Sequence, residues 1–503
     1  MRIKRITAAV LSALIAVSST GCAAVTDLME KYNIDIPFLT GNGRENAAGG
    51  QTAADGTTGA EAETASALEP EEELSPDEIR RRSEGKVLNI YCWDESLESL
   101  FIMYYPGYED IEDRKGRIGN VTINWVIPEE EDKYMDLVAE KLLTAEYLQP
   151  DERVDLYLAP EEDLSIYVNS DYSLDVREKV GLTDEELEDQ FPFTQQMAST
   201  DDGILKAVTW QATPGVFVYR RSIAKDVLGT DDPGAVQKEL ENWTKFRATA
   251  AKMGDKKYFM LSGYYDAFSA FRFSAEKHWE NGGALVIPDA MIEWRNMMAD
   301  FTKKNYHNKT YIGEAEWVAD QGPSGKVFGF FRAIGDIDSR MAAYSLEDAD
   351  LAPQAGNGIY GDYAVCCGPQ TFVSGGAWIL ASPSSDNLIL DKEIMENFTC
   401  NSALLYKIAG NEDIFTNTIS GMRRLAGEDR KDAFLGGQDP FDIYYQAATR
   451  LSCLSAGNYD RWMGDTFRNS LIKSFTGEMT QDEAMEYFYQ RVKARYPELK
   501  VSN

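Results

Sequence analysis

Strand-like runs alternate with helical patterns in the first part of the folded chain. VLNIYCW (87–93), VTINWVIP (121–128) and VDLYLAP (154–160) are short runs rich in β-branched and aromatic residues, as buried strands are. Residues 97–104 and 132–148 instead place apolar side chains at helical spacing. This order of strand, helix, strand, helix, strand predicts an α/β fold built on an open, mainly parallel sheet.

The ends of the predicted strands carry the first candidates for a binding site. In open α/β sheets, ligands bind beyond the carboxyl ends of the strands. Trp93, Asp94 and Glu95 follow the first strand directly, and further residues follow Leu156 in the third. We therefore predict a binding rim from these positions. Trp93 could also pack in the core, with the two acids capping the next helix.

The rest of the chain predicts a second lobe. ILKAVTWQATPGVFVYRRS (204–222) is an extended stretch interrupted by a Pro-Gly pair, so it can leave one sheet and enter another. Strand and helix signals then alternate again, and the chain ends in helical patterns at 459–475 and 481–496. About 415 residues follow Lys86, which is more than one hydrophobic core usually holds. We predict two lobes.

The N-terminus has the layout of a secretory signal. Three basic residues lie within the first five positions, residues 6–17 are apolar or small, and the small residues 18–21 lead to Cys22. The apolar run is about half the length that spans a bilayer. The junction resembles a bacterial lipobox, although Ser19 stands where an apolar residue is usual. We predict a signal peptide over 1–21 and lipidation of Cys22; ordinary secretion with an incidental cysteine is the alternative.

The segment from 22 to 86 is predicted to be a tether that carries the lipid. Residues 41–78 are rich in Gly, Ala, Thr and Glu and contain no aromatic residue. Such a composition cannot bury enough apolar surface to offset the conformational entropy of folding, so a flexible acidic linker is expected.

The charge of the chain excludes some partners. The formal net charge is −33, and it becomes −36 once the three basic residues of the signal are removed. Nucleic acid and anionic bilayers repel such a surface, so neither is expected as a direct partner.

The sequence shows no catalytic or metal-binding motif. The six cysteines form no C-x-x-C pair, and the two histidines, His278 and His307, have no ligand spacing. No cofactor and no metal are predicted.

Four segments, in this order, resemble extracellular solute-binding proteins of family 1, the carbohydrate-type binding lipoproteins of bacterial ABC importers. They span most of residues 87–497. The segments are VLNIYCWDE, KAVTWQATPGVFVYRRSIAKDVLGTDDP, GPQTFVSGGAWILAS, and the closing helices that begin at FLGGQDPFDIYYQAA.

The resemblance implies two α/β lobes that are joined by hinge crossovers and enclose the ligand between them. The lobes would be discontinuous, with 87–210 and 376–435 in lobe 1 and 211–375 and 436–503 in lobe 2. A carbohydrate ligand, from mono- to oligosaccharide, and the importer's permease subunits would be the partners. A monomer is expected, anchored by its lipid at the extracellular face of the cell membrane.

The resemblance also implies further site residues. Trp210 would lie in the hinge, Trp378 after Gly-Gly in the cleft, and Gln438 and Asp439 at the ligand. Family members often carry aromatic residues where this chain has Gly335 and Ser374, and Arg332, Asp336 and Asp338 bring charge to the first of these segments. This pattern is compatible with a charged sugar or with a ligand held by polar groups.

Three other functions remain open from the sequence. A surface glycoside hydrolase or lyase needs only two carboxylates across a cleft, and the chain has 83 acidic residues. A binder of a non-sugar solute and a purely structural surface lipoprotein are the other two.

Overall fold

The computed structural model describes residues 85–501. The predicted signal peptide, Cys22 and nearly all of the predicted linker lie outside the described residues and stay predictions. No helix among residues 85–501 combines the length and the apolar character needed to cross a membrane.

One large sheet organises lobe 1. Its strands lie in the order β14-β5-β1-β4-β3-β2, and the three central strands β5, β1 and β4 run parallel. These central strands are the three that the hydrophobic pattern predicts, which confirms the α/β fold. The six strands are β1 (Val87–Tyr91), β2 (Tyr108–Glu112), β3 (Lys115–Ile118), β4 (Val121–Val126), β5 (Leu156–Pro160) and β14 (Ala377–Ala381).

A smaller antiparallel sheet organises lobe 2. Its central strand β6 pairs with β11, β12 and β13. The remaining short strands form two further pairs. The strands of this lobe are β6 (Pro214–Arg220), β7 (Leu261–Gly263), β8 (Glu280–Asn281), β9 (Ala284–Leu285), β10 (His307–Thr310), β11 (Gly329–Ala333), β12 (Tyr363–Cys366) and β13 (Phe372–Val373).

Helices cover both sheets and supply most of the remaining structure. A continuous helical segment follows β11: an α turn over Ile334–Asp336, a π turn over Ile337–Met341 and an α turn over Ala342–Tyr344; we call it segment 334–344. The other α-helices are α1 (Ser96–Tyr104), α2 (Tyr134–Leu143), α3 (Glu161–Val168), α4 (Asp184–Leu187), α5 (Pro192–Met197), α6 (Arg221–Leu228), α7 (Pro233–Leu240), α8 (Trp243–Asp255), α9 (Phe268–Arg272), α10 (Asp289–Lys304), α11 (Ala315–Asp320), α12 (Leu388–Thr399), α13 (Ser402–Glu412), α14 (Ile419–Leu425), α15 (Phe441–Arg450), α16 (Asp460–Phe475) and α17 (Gln481–Arg495).

Two crossovers run side by side between the lobes. The Val208 and Ile379 backbones pair antiparallel, with N–H···O distances of 3.2 and 2.7 Å. Further along, the Thr213 hydroxyl donates to the Gly375 carbonyl at 2.7 Å. Gly376 has φ of +110°, and a Cβ there would lie 3.0 Å from Thr213 Oγ1, so glycine suits both the backbone and the close approach.

The segment between α15 and α16 contacts lobe 1. The segment from 451 to 459 leads from α15 to α16, and the Ala456 amide donates to the Ser199 carbonyl of lobe 1 at 2.9 Å. Because β14 pairs with β5, the sheet of lobe 1 is built from two separate stretches of the chain. The boundaries near 210, 375 and 435 stay predictions.

Candidate functional site

The carboxyl end of β1 presents Trp93 and Asp94 at the edge of lobe 1. Trp93 is half-buried and meets the Tyr134 ring edge-on, with 5.6 Å between the ring centroids. The Tyr134 hydroxyl lies 2.9 Å from the Tyr91 carbonyl and 2.8 Å from the Leu158 carbonyl, so it ties the ends of β1 and β5 together. The sheet thereby fixes the position of the Trp93 ring.

The two acids after Trp93 have different environments. Asp94 Oδ1 accepts from the Ser96 amide at 2.9 Å at the start of α1, whereas its Oδ2 is buried and has no hydrogen-bond partner among residues 85–501. Desolvation by burial raises the pKa of Asp94 above its usual value. Glu95 is exposed and forms an ion pair with Arg114 at 3.4 Å. Asp94 thus keeps one acceptor oxygen buried beside the Ser96 and Trp93 side chains, while Glu95 belongs to the surface.

The acids after β5 face lobe 2. Glu161, Glu162 and Asp163 form the first turn of α3. Glu161 accepts from Arg272 of α9 at 3.0 Å, and Asp163 accepts from Arg461 of α16 at 3.0 Å. Both pairs are largely buried, with side chains between 8 and 28% exposed. These side chains lie in the predicted region after Leu156, but no sequence pattern singles them out.

Glu162, unlike its two acidic neighbours, forms no ion pair with any residue of 85–501, and this affects its protonation. Desolvation by burial raises its pKa to about 7, Arg461 opposes the rise, and its acidic neighbours add to it. One side of the interlobe cleft therefore holds two cross-lobe ion pairs and one carboxyl group that is easily protonated.

Segment 334–344 approaches lobe 1 near the carboxyl end of β1. Arg340 carries a positive charge that acts on Glu131 of lobe 1, while Asp94 acts on the same glutamate with the opposite sign. Asp338 lies on this segment, and desolvation of its carboxyl group, followed by the neighbouring Asp432, raises its pKa to about 8. Arg340 was not predicted as a site residue; its side chain nevertheless lies where segment 334–344 approaches the β1 end of lobe 1.

The predicted site residues Arg332 and Asp336 lie inside lobe 2. They are 6 and 5% exposed, and Arg332 Nη1 is 3.6 Å from Asp336 Oδ2. The guanidinium carbon lies 4.7 Å from the Trp317 ring centroid, and within the described part of the chain Nε and Nη2 have no hydrogen-bond partner. The two side chains support segment 334–344 from within the lobe and do not reach the cleft surface.

The structure corrects the predicted roles of Trp210 and Trp378. They are 2 and 1% exposed, so neither ring has a face open to a ligand. Trp378 lies on β14 with its ring turned inward, and its Nε1 donates to the Thr194 carbonyl at 3.2 Å. Both tryptophans belong to the core of lobe 1 and the crossovers.

Gln438 and Asp439 likewise have structural partners. Gln438 Oε1 accepts from the Val365 amide at 2.9 Å, and its Nε2 donates to the Val365 carbonyl at 2.8 Å. Asp439 accepts from the Arg430 and Phe441 amides, both at 2.9 Å. Gln438 therefore holds its loop against β12, and Asp439 caps the start of α15.

Comparison with known proteins identifies the fold. No protein-family model matches the chain, and no curated protein matches it. Solved structures do match: an extracellular solute-binding protein of family 1 has a TM-score of 0.68 at 14% identity, with 82% of this chain and 100% of that chain covered. The chain thus has the two-lobe fold of periplasmic binding proteins.

Two further solved structures carry names that state what they bind. The galacto-N-biose/lacto-N-biose I-binding protein of an ABC transporter from Bifidobacterium longum, in complex with lacto-N-biose, has a TM-score of 0.57 at 13% identity, covering 83% of this chain and 100% of that one. The sugar-binding protein MalE from Xanthomonas citri has a TM-score of 0.59 at 13% identity, covering 81 and 97%.

Proposed function

We propose that this chain is a solute-binding protein that captures a carbohydrate between its lobes and delivers it to an ABC importer. The observation that carries the proposal is the half-open Trp93 ring beside the unpartnered Asp94 Oδ2, at the carboxyl end of a central strand. A flat aromatic face and a nearby carboxylate suit the apolar face and the hydroxyl groups of a sugar. The fold and the sugar-binding structures that share it support the proposal.

Binding would act by closing the lobes. A ligand that contacts Trp93 and Asp94 of lobe 1 together with segment 334–344 of lobe 2 makes its full set of contacts only when the lobes are closed. It therefore shifts the population toward the closed state. The chain would be held at the extracellular face by lipid on Cys22, and the importer's permease would recognise the closed form.

A thermal-shift screen of the full-length protein tests this proposal. Neutral sugars, amino sugars, uronic acids, peptides and polyamines are compared, and we expect a saccharide to raise the melting temperature. Trp93→Ala should abolish most of that shift. Trp462→Ala is the matched control, because Trp462 is also half-buried but its ring packs on Tyr496 within lobe 2, with 5.3 Å between the ring centroids. Stabilisation by peptides alone would contradict the carbohydrate assignment.

Two assays separate this function from its alternatives. A binding protein returns an oligosaccharide unchanged, whereas a glycoside hydrolase produces new reducing ends that a colorimetric assay detects. Deleting the cognate permease should abolish uptake of the ligand and leave binding intact. Uptake that persists without the permease would count against delivery to an importer.

A further inference from the structure

His278 lies between a carboxylate of lobe 2 and a carboxylate of lobe 1. Its Nδ1 is 2.5 Å from Asp460 Oδ2 at the start of α16, and Asp460 Oδ1 accepts from the Trp279 amide at 2.9 Å. Its Nε2 is 3.3 Å from Asp201 Oδ1, which is within the range of an ion pair. The imidazole ring of His278 therefore bridges the two lobes.

The two ends of this bridge belong to separate hydrophobic cores. Trp279, next to His278, is 3% exposed and packs in the core of lobe 2. Asp201 lies in a turn of lobe 1 between Ser199 and Leu205, whose backbones pair antiparallel. A change in the angle between the lobes therefore changes the distance from His278 to Asp201.

The segment from 451 to 459 runs directly past the bridge. The Ala456 carbonyl in this segment accepts from Asn169 Nδ2 of lobe 1 at 2.7 Å. One residue further on, a Cβ at Gly457 would lie 2.5 Å from His278 Nδ1. Because Gly457 has no side chain, the imidazole ring can lie against a segment that is bound to lobe 1.

The two contacts of the ring require two protons. A neutral imidazole carries one N–H, and the 2.5 Å distance to the Asp460 carboxylate places it on Nδ1, so Nε2 is then an acceptor. Asp201 is an acceptor as well, and the Ser455 hydroxyl, 3.4 Å from Nε2, already donates to Asp201 at 2.6 Å. Only the imidazolium, with an N–H on each nitrogen and a positive charge, satisfies both carboxylates.

We propose that protonation of His278 links the two lobes through Asp201, so that the arrangement of the lobes responds to pH. The linked form is the arrangement that the structure shows. Once the proton is lost, the contact with lobe 1 joins two acceptors and no longer holds the lobes together. The device does not depend on the chemistry of the ligand, so it stands whether or not the ligand is a carbohydrate.

The groups around His278 set the pH range of the response. The hydrogen bond with Asp460 raises the pKa of His278 above its usual value, burial opposes this rise, and the charges of Asp460, Asp201 and Glu280 add to it. These acids act on the ring from α16, from the lobe 1 turn and from β8, whereas the Ser455 hydroxyl is neutral. Because the folded pKa lies above the unfolded value of about 6.5, the stabilisation is fully present below that pH and is lost as the pH rises through the folded pKa.

Histidine side-chain NMR of the full-length protein measures the contact. The chain has two histidines, and burial lowers the pKa of the other, His307, to about 4, so the two titrations are distinct. We expect the pKa of His278 to lie above about 6.5 and to fall by about half a pH unit or more in Asp201→Ala. The Asp201 side chain is 68% exposed, so its removal leaves the core of lobe 1 intact.

Asp202→Ala is the matched control. It removes the same charge from the same turn, but the Asp202 carboxylate accepts from the Thr200 hydroxyl. This variant should leave the pKa of His278 in place.

Small-angle X-ray scattering measures the arrangement of the lobes. At pH 5.5, Asp201→Ala should have a larger radius of gyration than the wild type and than Asp202→Ala. At pH 9, where His278 is neutral, the three proteins should agree. Glu162, whose pKa burial raises to about 7, is common to all three proteins and cancels in the comparison.

Each outcome decides the inference. A lower pKa of His278 together with a larger radius at pH 5.5 alone supports the link. If Asp201→Ala leaves the pKa unchanged, the ring does not contact lobe 1 and the inference is wrong. If the pKa falls but the radii agree at both pH values, the contact does not hold the lobes. A larger radius at both pH values would show that Asp201 acts without the proton, and either of these last two results overturns the inference.

Discussion

Replacing Glu162 by glutamine should stabilise the protein at high pH. Glu162 lies at the interface between the lobes, and burial raises its pKa from 4.5 to about 7. Such a rise corresponds to about 3 kcal/mol, at about 1.4 kcal/mol for each pH unit. Ionised Glu162 costs the folded state about that much free energy, and glutamine removes this cost.

The sign of the pH dependence follows from proton binding. In the unfolded chain Glu162 loses its proton near pH 4.5, whereas in the folded chain it keeps the proton to about pH 7. Between these values the folded state binds more protons, so this group's contribution to stability is lost as the pH rises. Glu162→Gln should therefore match the wild type near pH 4.5 and exceed it by about 3 kcal/mol at pH 8.

Urea unfolding of both proteins at pH 5, 6, 7 and 8 measures this difference. Glu98 and Asp155, whose pKa values burial raises to about 7 and about 6, are common to both proteins and cancel in the comparison. Glu185→Gln, at an exposed acid of α4, is the control and should show no pH-dependent gain. A difference that stays constant from pH 5 to pH 8, or a variant less stable at pH 8, would refute the reasoning.

Three further predictions concern the ligand, the interlobe contact and the anchor. Trp93→Ala should weaken ligand binding about tenfold to a hundredfold, measured by titration, because one stacking face is worth roughly 1–3 kcal/mol. A double-mutant cycle of Arg461→Ala and Asp163→Asn should give a coupling free energy of about 1–3 kcal/mol in urea unfolding, and additive effects would contradict a cross-lobe pair. Cys22→Ala should move the protein from the membrane to the soluble fraction, and unchanged detergent partitioning of the variant would reject lipidation.

The sequence predicts the central strands of lobe 1 because the run of apolar residues that marks each strand lies within the strand itself. The central strands β1 and β5 are short apolar runs with four of their five residues buried, as the pattern of a parallel sheet requires, and β4 buries Ile123 and Trp125. The hairpin of β2 and β3 was missed for the opposite reason. Its sequences, YEDIE and KGRI, are charged and mostly exposed, so the sheet edge that they form leaves no alternation of apolar and polar residues to detect.

The site is less predictable because its contacts join distant parts of the chain. Arg272 and Glu161 are 111 residues apart, and Arg461 and Asp163 are 298 apart. No local pattern marks an arginine that will meet such a partner. Trp378 shows a second limit, since its position after two glycines suggested the cleft, but the face of β14 on which its ring lies places it in the core.

The two sides of the cleft have different roles because their charges are balanced differently. On the β5 side, Glu161 and Asp163 already meet Arg272 and Arg461 across the lobes, so this side favours closure before any ligand arrives. A ligand can shift the equilibrium between the open and closed states only through contacts that it makes itself in the closed state. Those contacts remain to be made on the β1 side, where Asp94 has a buried oxygen without a hydrogen-bond partner among the residues that the structure describes. The ion pairs therefore lower the free energy of closure, and the β1 side determines which solute completes it.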